Sequence, residues 1–444
     1  MHYALCIEKM LYYNIKNPKE IVTLKQAIID GVSEDGGLYM PQSIVRLPQA
    51  FVRNMGHMSL QEIAYAIANF AFQGDIDADV LHDIVYDTLN FDIPLRHIDD
   101  SHYVLELFHG PTMAFKDVGA RFMAHTLRYY RSMHHEWPTI HVLVPTSGDT
   151  GAAVANGFVG VPGVHIHVLY PHESLSYVQE AQFATLGDNV TALEVNGSFD
   201  DCKRLVAKAF VDPELNEALH MSSATSINVA RILPQTFYYF YAVAMLARQG
   251  VDVSEVVFSV PSANLGNLTS GLMARAMGLP VKRFVSVENE NNIFYNYIKT
   301  GYFIAKPSVT SIAPALDAGN PTNMPRVMEL LGNYSEIRRM IHAYTYNDEM
   351  IIDTIRDTDR RHGYLLDPHS AFAWQGLCDD LRPGEVGVSL ATAHPAKFST
   401  TVEHATGREI PMPPQLLHYL KGTRRVTPIN NGYTSFKRYL LQFA

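Results

Sequence analysis

The chain of 444 residues is 47% hydrophobic and 18% charged, a balance that is typical of a folded globular protein rather than a disordered one. Its length predicts two or three domains, since a single hydrophobic core rarely extends beyond about 300 residues. The formal net charge of −10 at pH 7 argues against a general nucleic-acid binder, because such a protein presents a basic face.

Residues 1–95 are predicted to form a mainly helical N-terminal domain. Apolar residues recur at helical spacing in residues 24–29 and again in residues 60–72. Between these segments, residues 36–41 have the sequence Gly-Gly-Leu-Tyr-Met-Pro, which predicts a turn beside a short apolar segment. We expect the domain boundary between residues 91 and 100.

Strands and helices alternate along the rest of the chain. We predict strands at residues 140–144, 164–170, 190–195, 256–260 and 281–287, and helices at residues 175–186, 199–210 and 267–277, with further helices beginning near residues 116 and 150. Apolar strands of this length that alternate with helices are typical of parallel sheets covered by helices on both faces. The sequence therefore predicts an α/β fold class. In such folds ligands bind beyond the carboxyl ends of the strands, here at residues 147–151, at 262–267 and after residue 390.

Lys116 directly follows Phe115 and several small apolar residues at the predicted start of a helix. Apolar surroundings and a helix N-terminus both disfavour the ammonium form, so we expect the pKa of the Lys116 amine to be depressed. A neutral lysine amine is what Schiff-base chemistry requires. The alternative interpretation is a solvated lysine that pairs with Asp117.

The loop at residues 146–151 follows a predicted strand and opens a helix with the sequence Thr-Ser-Gly-Asp-Thr-Gly. Hydroxyl and backbone N–H groups of Ser147, Asp149 and Thr150 are suited to bind a carboxylate or a phosphate. The alternative role of Asp149 is to cap the N-terminus of the helix.

The loop at residues 261–269 also lies between a predicted strand and a predicted helix. Free N–H groups at a helix start favour a phosphate, and small residues let the backbone approach the anion. Small residues would also be needed in any tight strand-to-helix turn, so the structural and the functional interpretation both stay open.

The sequence predicts a cytoplasmic protein that does not contact a membrane. The longest apolar run, residues 237–247, is shorter than the ~18 residues of a membrane-spanning helix, and the first ten residues do not resemble a signal peptide. Cys6, Cys202 and Cys378 are widely spaced and fit a reducing compartment. No metal site is expected, because His165 and His167 lack a third ligand. The sequence leaves monomer and homodimer open.

Several motifs occur in the same order as in a known family, and together the chain resembles the long, microbial type of threonine synthase, which belongs to fold-type II of the pyridoxal-phosphate (PLP) enzymes. The motifs are DGGLYMP from Asp35, HGPTMAFKD around Lys116, PTSGDTGAA from Pro145, SINVARILPQ from Ser226, VPSANLGNLTSG from Val260, NPTNMPR from Asn320, DPHSA from Asp367 and ATAHPAKF from Ala391. The resemblance covers most of the chain. It implies an N-terminal domain at residues 1–95 and a catalytic region at residues 96–444. The catalytic region would contain two parallel-sheet domains with flanking helices, the smaller at about residues 125–225.

The resemblance also implies how pyridoxal 5'-phosphate binds. Lys116 would form the Schiff base, the hydroxyl of Thr392 would meet the pyridine nitrogen, and one loop would hold the cofactor phosphate. The loop residues are Ala263, Asn264, Leu265, Gly266 and Asn267. Ala263 replaces the usual glycine and Leu265 the usual phenylalanine, and the alanine would be costly if its backbone required a positive φ.

The reaction implied by the resemblance converts O-phospho-L-homoserine and water to L-threonine and phosphate. The freed Lys116 amine would move the α-proton and a proton at Cβ. Asn228 and Arg231, three residues apart on one helix face, would bind the substrate phosphate, while Ser147, Asp149 and Thr150 would bind its carboxylate. The alternative for Arg231 is a surface salt bridge. Lys397 either joins the phosphate site or only begins a helix.

Two other functions remain possible on the sequence alone. The first is another fold-type II lyase, such as a threonine or serine dehydratase or a phospholyase. The second is a non-catalytic PLP-binding relative in which Ala263 and Leu265 mark a relaxed cofactor loop.

Overall fold

The computed structural model describes residues 9–72, 74–172 and 174–444; residues 1–8 of the predicted N-terminal domain, with Cys6, lie outside the described part. Within these ranges the strands are β1 (Leu11–Asn14), β2 (Ile21–Thr23), β3 (Tyr39–Pro41), β4 (Leu95–His97), β5 (His102–Glu106), β6 (Ile140–Pro145), β7 (Val164–Pro171), β8 (Val190–Asn196), β9 (His220–Ser222), β10 (Val256–Pro261), β11 (Arg283–Glu288), β12 (Ile341–Thr345), β13 (Val386–Ala391) and β14 (Val426–Asn430).

The α-helices are α1 (Leu24–Asp30), α2 (Gln49–Asn54), α3 (Leu60–Ala71), α4 (Ala78–Thr88), α5 (Lys116–Met133), α6 (Asp149–Phe158), α7 (Tyr177–Ala184), α8 (Phe199–Phe210), α9 (Pro213–Ala218), α10 (Val229–Ile232), α11 (Thr236–Arg248), α12 (Gly266–Ala276), α13 (Ile293–Thr300), α14 (Met324–Leu331), α15 (Tyr334–Met340), α16 (Asp348–His362), α17 (Pro368–Asp380), α18 (Ser399–Thr406), α19 (Pro414–Leu420) and α20 (Tyr433–Leu440). Short 3₁₀ helices include Pro314–Leu316 and Pro395–Phe398. None of the helices in the described ranges is long and apolar enough to cross a membrane.

The N-terminal part combines four helices with a small antiparallel sheet. Strand β1 pairs with both β2 and β3. The predicted helices are confirmed as α1 and α3, and α3 begins with a capping box between Ser59 and Glu62. The sequence analysis did not predict β1, β2 and β3, because segments of three or four residues are too short to display an alternating apolar pattern.

The larger of the two remaining sheets has six strands in the order β12-β11-β10-β13-β5-β4. All its neighbours pair in parallel except the edge strand β4, which is antiparallel to β5. Helix α17 packs beneath β10, β11 and β13. The predicted strands at 256–260 and 281–287 are confirmed as the two adjacent strands β10 and β11.

The smaller sheet has five parallel strands in the order β14-β8-β7-β6-β9. Its edge strand β14 comes from the C-terminal end of the chain and pairs with β8. This strand contains Pro428, which an edge position tolerates because one side of the strand needs no hydrogen-bond donor. The α/β fold class with parallel sheets and flanking helices is confirmed, while the proposed domain limits at residues 95, 125 and 225 stay predictions.

The N-terminal helices do not have a core of their own. Ile63 and Ile67 of α3 belong to the same buried apolar cluster as Phe237 and Phe240 of α11, and the two helices are in contact. This shared burial attaches the N-terminal part to the larger sheet.

Three histidines lie against one another on the smaller sheet and contact residues near the C-terminal end of the chain. His141 Nδ1 lies 3.0 Å from His167 Nε2, and the Tyr439 hydroxyl lies 2.8 Å from His167 Nδ1. His165 stacks on His167 with ring centroids 4.6 Å apart. Burial lowers the pKa of all three imidazoles, that of His141 to about 4. Neutral, packed rings fit the structural role expected from the sequence; among the described residues no His, Cys, Asp or Glu group is arranged to hold a metal ion.

A buried ion cluster joins the start of β11 to the end of α17. Arg283 Nε lies 2.7 Å from Asp380 Oδ2, and Arg283 Nη2 lies 2.6 Å from Glu385 Oε2. All three side chains are buried. Replacing Arg283 with Met removes the cation that these two buried carboxylates share and leaves Asp380 with His342 and Glu385 with Lys282, so we expect the free energy of unfolding to fall by about 3 kcal/mol. Urea-induced unfolding measures this loss.

The matched control is Arg339→Met, which removes an exposed arginine from its pair with Glu336. Because water already solvates both of these charges, we expect the unfolding midpoint to stay nearly unchanged. Equal losses in the two variants would contradict the role assigned to the buried cluster.

Candidate active site

The carboxyl ends of both parallel sheets open onto one cavity of about 1540 Å³. The loops that follow β6, β10 and β13 line it, as expected for ligand sites of open α/β sheets. The start of α5, the N-terminal sheet and helix α8 complete the wall. The three loops that the sequence marked for chemistry therefore face the same space.

Lys116 is the first residue of α5 and lines this cavity. Its Nζ lies 4.5 Å from the centroid of the Phe115 ring. Burial lowers the pKa of the amine to about 8; Asp149 opposes this shift, and the cations Lys397 and Arg231 add to it. An ordinary lysine titrates near ~10.4, so the neutral, nucleophilic form is far more accessible here.

Asp117 does not pair with Lys116. Its carboxylate is buried and accepts hydrogen bonds from the backbone N–H of Thr112 over 2.9 Å and from the Thr112 hydroxyl over 2.6 Å. The alternative interpretation of Lys116 as a solvated partner of Asp117 is therefore wrong. The carboxylate instead shapes the loop that leads into α5.

A second lysine, Lys397, forms a buried ion pair with Asp149, with 2.7 Å between Nζ and Oδ1. Gln179 Nε2 donates to the same carboxylate oxygen over 3.0 Å, and Lys397 Nζ also donates to the carbonyl oxygen of Thr112 over 2.9 Å. Burial raises the pKa of Asp149, but the ammonium groups of Lys397 and Lys116 outweigh it and hold that pKa well below its usual range. The carboxylate is thus committed to Lys397.

The loop before α6 is shaped by Thr146, whose Oγ1 accepts hydrogen bonds from the N–H groups of Gly148 over 3.0 Å and Gly151 over 2.8 Å. Gly148 has φ 129° and occupies the N-cap position, so Asp149 is not the helix cap. A side chain at Gly148 would also collide with Gln179. Ser147 and Thr150 line the cavity beside the loop backbone.

The loop after β10 lies at the start of α12, whose first residue is Gly266. A Cβ atom on Gly266 would lie 3.0 Å from the Cβ of Ser226, so the close approach of the two loops favours glycine. Leu265 has a left-handed backbone with φ 59°, whereas Ala263 is not among the described residues with positive φ. The backbone cost expected for Ala263 is therefore absent, and Leu265 carries the strained conformation instead.

The side-chain amide of Asn267, in the first turn of α12, is held in place through its oxygen, while its NH2 group lacks a hydrogen-bond acceptor among the described residues. Its Oδ1 accepts hydrogen bonds from the hydroxyls of Tyr238 over 2.7 Å and Tyr239 over 2.8 Å. Its Nδ2 is buried and has no partner in the described structure. A buried N–H donor without an acceptor, next to the free N–H groups of a helix start, suits a bound anion.

Thr392 directly follows β13 and connects the larger sheet to the Lys116 loop. Its carbonyl oxygen accepts a hydrogen bond from the Phe115 N–H over 2.9 Å, and its own N–H donates to Ser370 Oγ over 3.0 Å. Among the described residues its hydroxyl has no hydrogen-bond partner, and the residue lines the cavity.

Residues of the DPHSA motif support Thr392, a role that the sequence did not reveal. The buried Asp367 carboxylate accepts hydrogen bonds from the Ser370 hydroxyl and from His369 Nδ1, the latter over 2.7 Å. Ser370 then accepts the Thr392 N–H. The motif was visible in the sequence, but no spacing rule links residue 370 to residue 392.

Arg231 is a buried cation that lines the cavity, whereas Asn228 is not among the lining residues. The Arg231 side chain is 3% exposed and donates to the carbonyl oxygen of Ala224, while its Nε has no partner among the described residues. Burial lowers the pKa of Arg231 to about 10, opposed by Asp117. A surface salt bridge for Arg231 is therefore wrong.

Asn228 is buried behind this part of the wall, at the N-cap of α10. Its Nδ2 donates to the carbonyl oxygens of Ile28 over 2.8 Å and Ser223 over 2.9 Å, and its Oδ1 accepts from the Ala230 N–H. The prediction that this amide binds the substrate phosphate is therefore wrong, because both amide hydrogens are used within the protein.

Comparison with known proteins places the whole chain in one family. The family model described as pyridoxal-phosphate-dependent enzyme matches residues 94–392, and models of the threonine synthase N terminus and C-terminal region match residues 11–89 and 372–440. A threonine synthase of Haemophilus influenzae is 40% identical over 433 residues, which cover 98% of this chain and 100% of the relative.

Two crystal structures have the same fold over nearly the whole chain. Threonine synthase from Escherichia coli superposes with a TM-score of 0.92 at 35% identity, covering 98% of this chain and 100% of that one. PLP-bound threonine synthase from Brucella melitensis gives a TM-score of 0.89 at 31% identity, covering 98% and 99%. The chain thus belongs to the threonine synthase family of pyridoxal-phosphate-dependent enzymes.

Proposed function

We propose that this enzyme converts O-phospho-L-homoserine and water to L-threonine and inorganic phosphate. The observation that carries the proposal is the content of one cavity: a lysine with a depressed pKa, a helix start with free N–H donors, and a buried guanidinium that forms no ion pair within the described residues. These features match a substrate that has both an amine and a phosphate.

The residues present fit the cofactor of the family. Lys116 would hold its aldehyde carbon, and the loop from Ala263 to Asn267 would hold its phosphate through the N–H groups of α12 and the unpartnered Nδ2 of Asn267. The Thr392 hydroxyl, which has no partner in the described part of the chain, would meet the pyridine nitrogen. When bound, pyridoxal phosphate serves as an electron sink for negative charge that develops on the substrate carbon skeleton.

Lys116 is the proposed acid–base group. Its Nζ would accept the α-proton and then a proton from Cβ of the bound substrate, and it would return protons to Cγ and Cα. A general base works best when its pKa lies near the operating pH, and burial has moved the pKa of this amine to about 8. Lys397 is the nearby cation that helps to keep it there.

The substrate would be oriented by groups at two sides of Lys116. Arg231 offers a buried positive charge with an unpartnered Nε for the substrate phosphate. Ser147 and Thr150 offer hydroxyls for the carboxylate, and Asp149 can contribute only its backbone N–H because its side chain is bound to Lys397. The phosphate leaves Cγ, water adds its hydroxyl at Cβ, and protons return to carbon to complete threonine.

We also propose a cytoplasmic location for the reaction. The buried Cys202 and the exposed Cys378 are both free thiols, which a reducing compartment preserves.

Incubating the PLP-loaded enzyme with O-phospho-L-homoserine is expected to release phosphate and threonine in equal amounts. Both products are measured in the same samples, by a colorimetric phosphate assay and by amino-acid chromatography. Lys116→Ala is expected to abolish both, because it removes the amine that is proposed to move the protons, whereas the exposed Lys421→Ala should retain turnover. Phosphate with 2-oxobutyrate would instead identify a lyase of the same fold, and bound PLP without any product would identify a non-catalytic relative.

Labelling of the apoprotein should reveal the depressed pKa of Lys116. The neutral amine is the form that reacts, so its reductive methylation should rise as pH increases through about 8 and level off above it. Exposed lysine amines titrate near ~10.4, so their labelling keeps rising beyond pH 9. Peptide mass spectrometry compares Lys116 with the exposed Lys421 in one sample. Identical profiles for the two residues would refute the depressed pKa.

The Lys397–Asp149 pair should be strongly coupled in a double-mutant cycle. Lys397→Met and Asp149→Asn each leave a buried polar or charged partner, so each is expected to lower the free energy of unfolding by about 3–5 kcal/mol. The double variant should lose clearly less than the sum, by about 1–3 kcal/mol. Denaturant unfolding gives all four values.

A control cycle uses the more exposed pair of Lys437 and Asp212, whose Nζ and Oδ2 are 2.8 Å apart. It contains the same residue types, and we expect a smaller coupling because water screens the charges. Additive losses at Lys397 and Asp149 would show that the two side chains do not act as a unit.

A further inference from the structure

Arg326 of α14 is fully buried and has no anionic partner among the described residues. Its Nε and Nη2 both donate to the carbonyl oxygen of Tyr39, over 3.2 and 2.9 Å, and Nη2 also donates to that of Ile227 over 2.7 Å. Its Nη1 donates to the carbonyl oxygen of Ser226 over 3.2 Å and to Asn323 Oδ1 over 2.8 Å. All five N–H groups are used, and every acceptor is a neutral oxygen.

A buried charge with neutral partners alone is costly, because carbonyl dipoles replace only part of the solvation that water gave. Burial lowers the pKa of this guanidinium to about 9. By contrast, the buried Arg283 has two carboxylates within hydrogen-bond distance. Among the described residues Arg326 is thus a fully buried cation without an ion-pair partner.

The acceptors of Arg326 lie directly around the proposed phosphate loop. Ser226 packs against Gly266, the first residue of α12. Asn323 donates to the carbonyl oxygen of Asn264 through its backbone N–H over 3.1 Å and through Nδ2 over 3.0 Å. Arg326 itself does not line the cavity, whereas Tyr39, Ser226 and Ile227 do. It is therefore one layer of residues behind the loop.

We propose that Arg326 is a positioning residue for the cofactor phosphate: the phosphate supplies the counter-charge that Arg326 lacks within the protein, and the hydrogen bonds of Arg326 hold the segments that flank the phosphate loop. Because none of its N–H groups is free, Arg326 acts without touching the phosphate. Its effect would reach the ligand through electrostatic attraction across the intervening loop and through the positions of Ser226 and Asn323.

The same residue connects the N-terminal sheet to cofactor binding. Tyr39 belongs to β3, and its carbonyl oxygen accepts two of the five hydrogen bonds of Arg326. The position of β3 and the electrostatic environment of the phosphate loop are therefore set by one guanidinium. The inference concerns cofactor binding and rests on the proposed phosphate loop; it does not depend on which substrate is turned over.

The test compares pyridoxal 5'-phosphate with pyridoxal, which lacks only the phosphate. Arg326→Gln removes the charge, and we expect it to weaken binding of pyridoxal 5'-phosphate by ~10- to 30-fold while binding of pyridoxal changes little. Absorbance titration of the full-length apoprotein gives both dissociation constants without turnover. If Arg326 had a purely structural role, Arg326→Gln would weaken the binding of both compounds alike, and that result would overturn the proposal.

Arg326→Lys keeps the charge but loses the five-donor fork, so it should lower stability and yet retain most of the preference for the phosphorylated compound. If Arg326→Gln does not fold, Arg326→Lys provides the test. Loss of the preference for pyridoxal 5'-phosphate over pyridoxal in this variant would refute the charge effect. Arg283→Gln, which alters a buried arginine away from the cavity, is the matched control and should leave the preference unchanged.

Asn267→Ala separates this inference from the placement of the phosphate itself. If Asn267→Ala weakens pyridoxal 5'-phosphate and Arg326→Gln does not, the loop is the phosphate site and the role of Arg326 is refuted. If neither variant discriminates between the two compounds, the phosphate binds elsewhere, and both assignments fail.

Discussion

The ion pair between Lys397 and Asp149 determines the geometry on which the site depends. Asp149 begins the helix that leaves the smaller sheet, and Lys397 lies just beyond the last parallel strand of the larger sheet. The same ammonium group also holds the carbonyl oxygen of Thr112, in the loop that leads to Lys116. One buried contact therefore ties together three loops from two sheets. Separating buried charges costs several kcal/mol, so the carboxyl ends of the sheets are kept at a fixed spacing, and the cavity between them keeps its shape.

Three cations lie together at one side of the cavity in a molecule whose net charge is negative. The chain carries a formal net charge of −10, yet the half-buried Lys116 and the buried Arg231 and Arg326 gather at or behind one wall of the cavity. Low hydration makes each of these charges act more strongly than an exposed one. This side of the cavity is therefore suited to anions, although the protein as a whole carries negative charge.

The N-terminal part contributes to this arrangement rather than standing apart from it. Its helix α3 shares a buried cluster with α11, and the carbonyl oxygen of Tyr39 in β3 is bound by Arg326. The polar wall of the cavity includes residues of the same small sheet. Both the apolar core and the site would thus be incomplete without residues 9–95. The strand β14 has a comparable role for the smaller sheet, because it covers the edge of β8 from the far end of the chain.

Apart from the threonine that the family resemblance implied, the sequence alone determined the alternation of strands and helices, the α/β class, and the lysine and the two strand-to-helix loops that line the cavity. These are local properties: apolar periodicity, small residues at turns, and short motifs. It did not reveal the short strands of the N-terminal sheet, the fate of Asn228, the left-handed conformation at Leu265 rather than at Ala263, or the partners of Lys397 and Arg326. Each of these depends on contacts between residues far apart in the chain, such as Lys397 with Asp149 and Arg326 with Tyr39. Only packing decides whether a charged side chain at a given position meets water, a carboxylate or a row of carbonyl oxygens, because that choice is made by elements that no local pattern brings together.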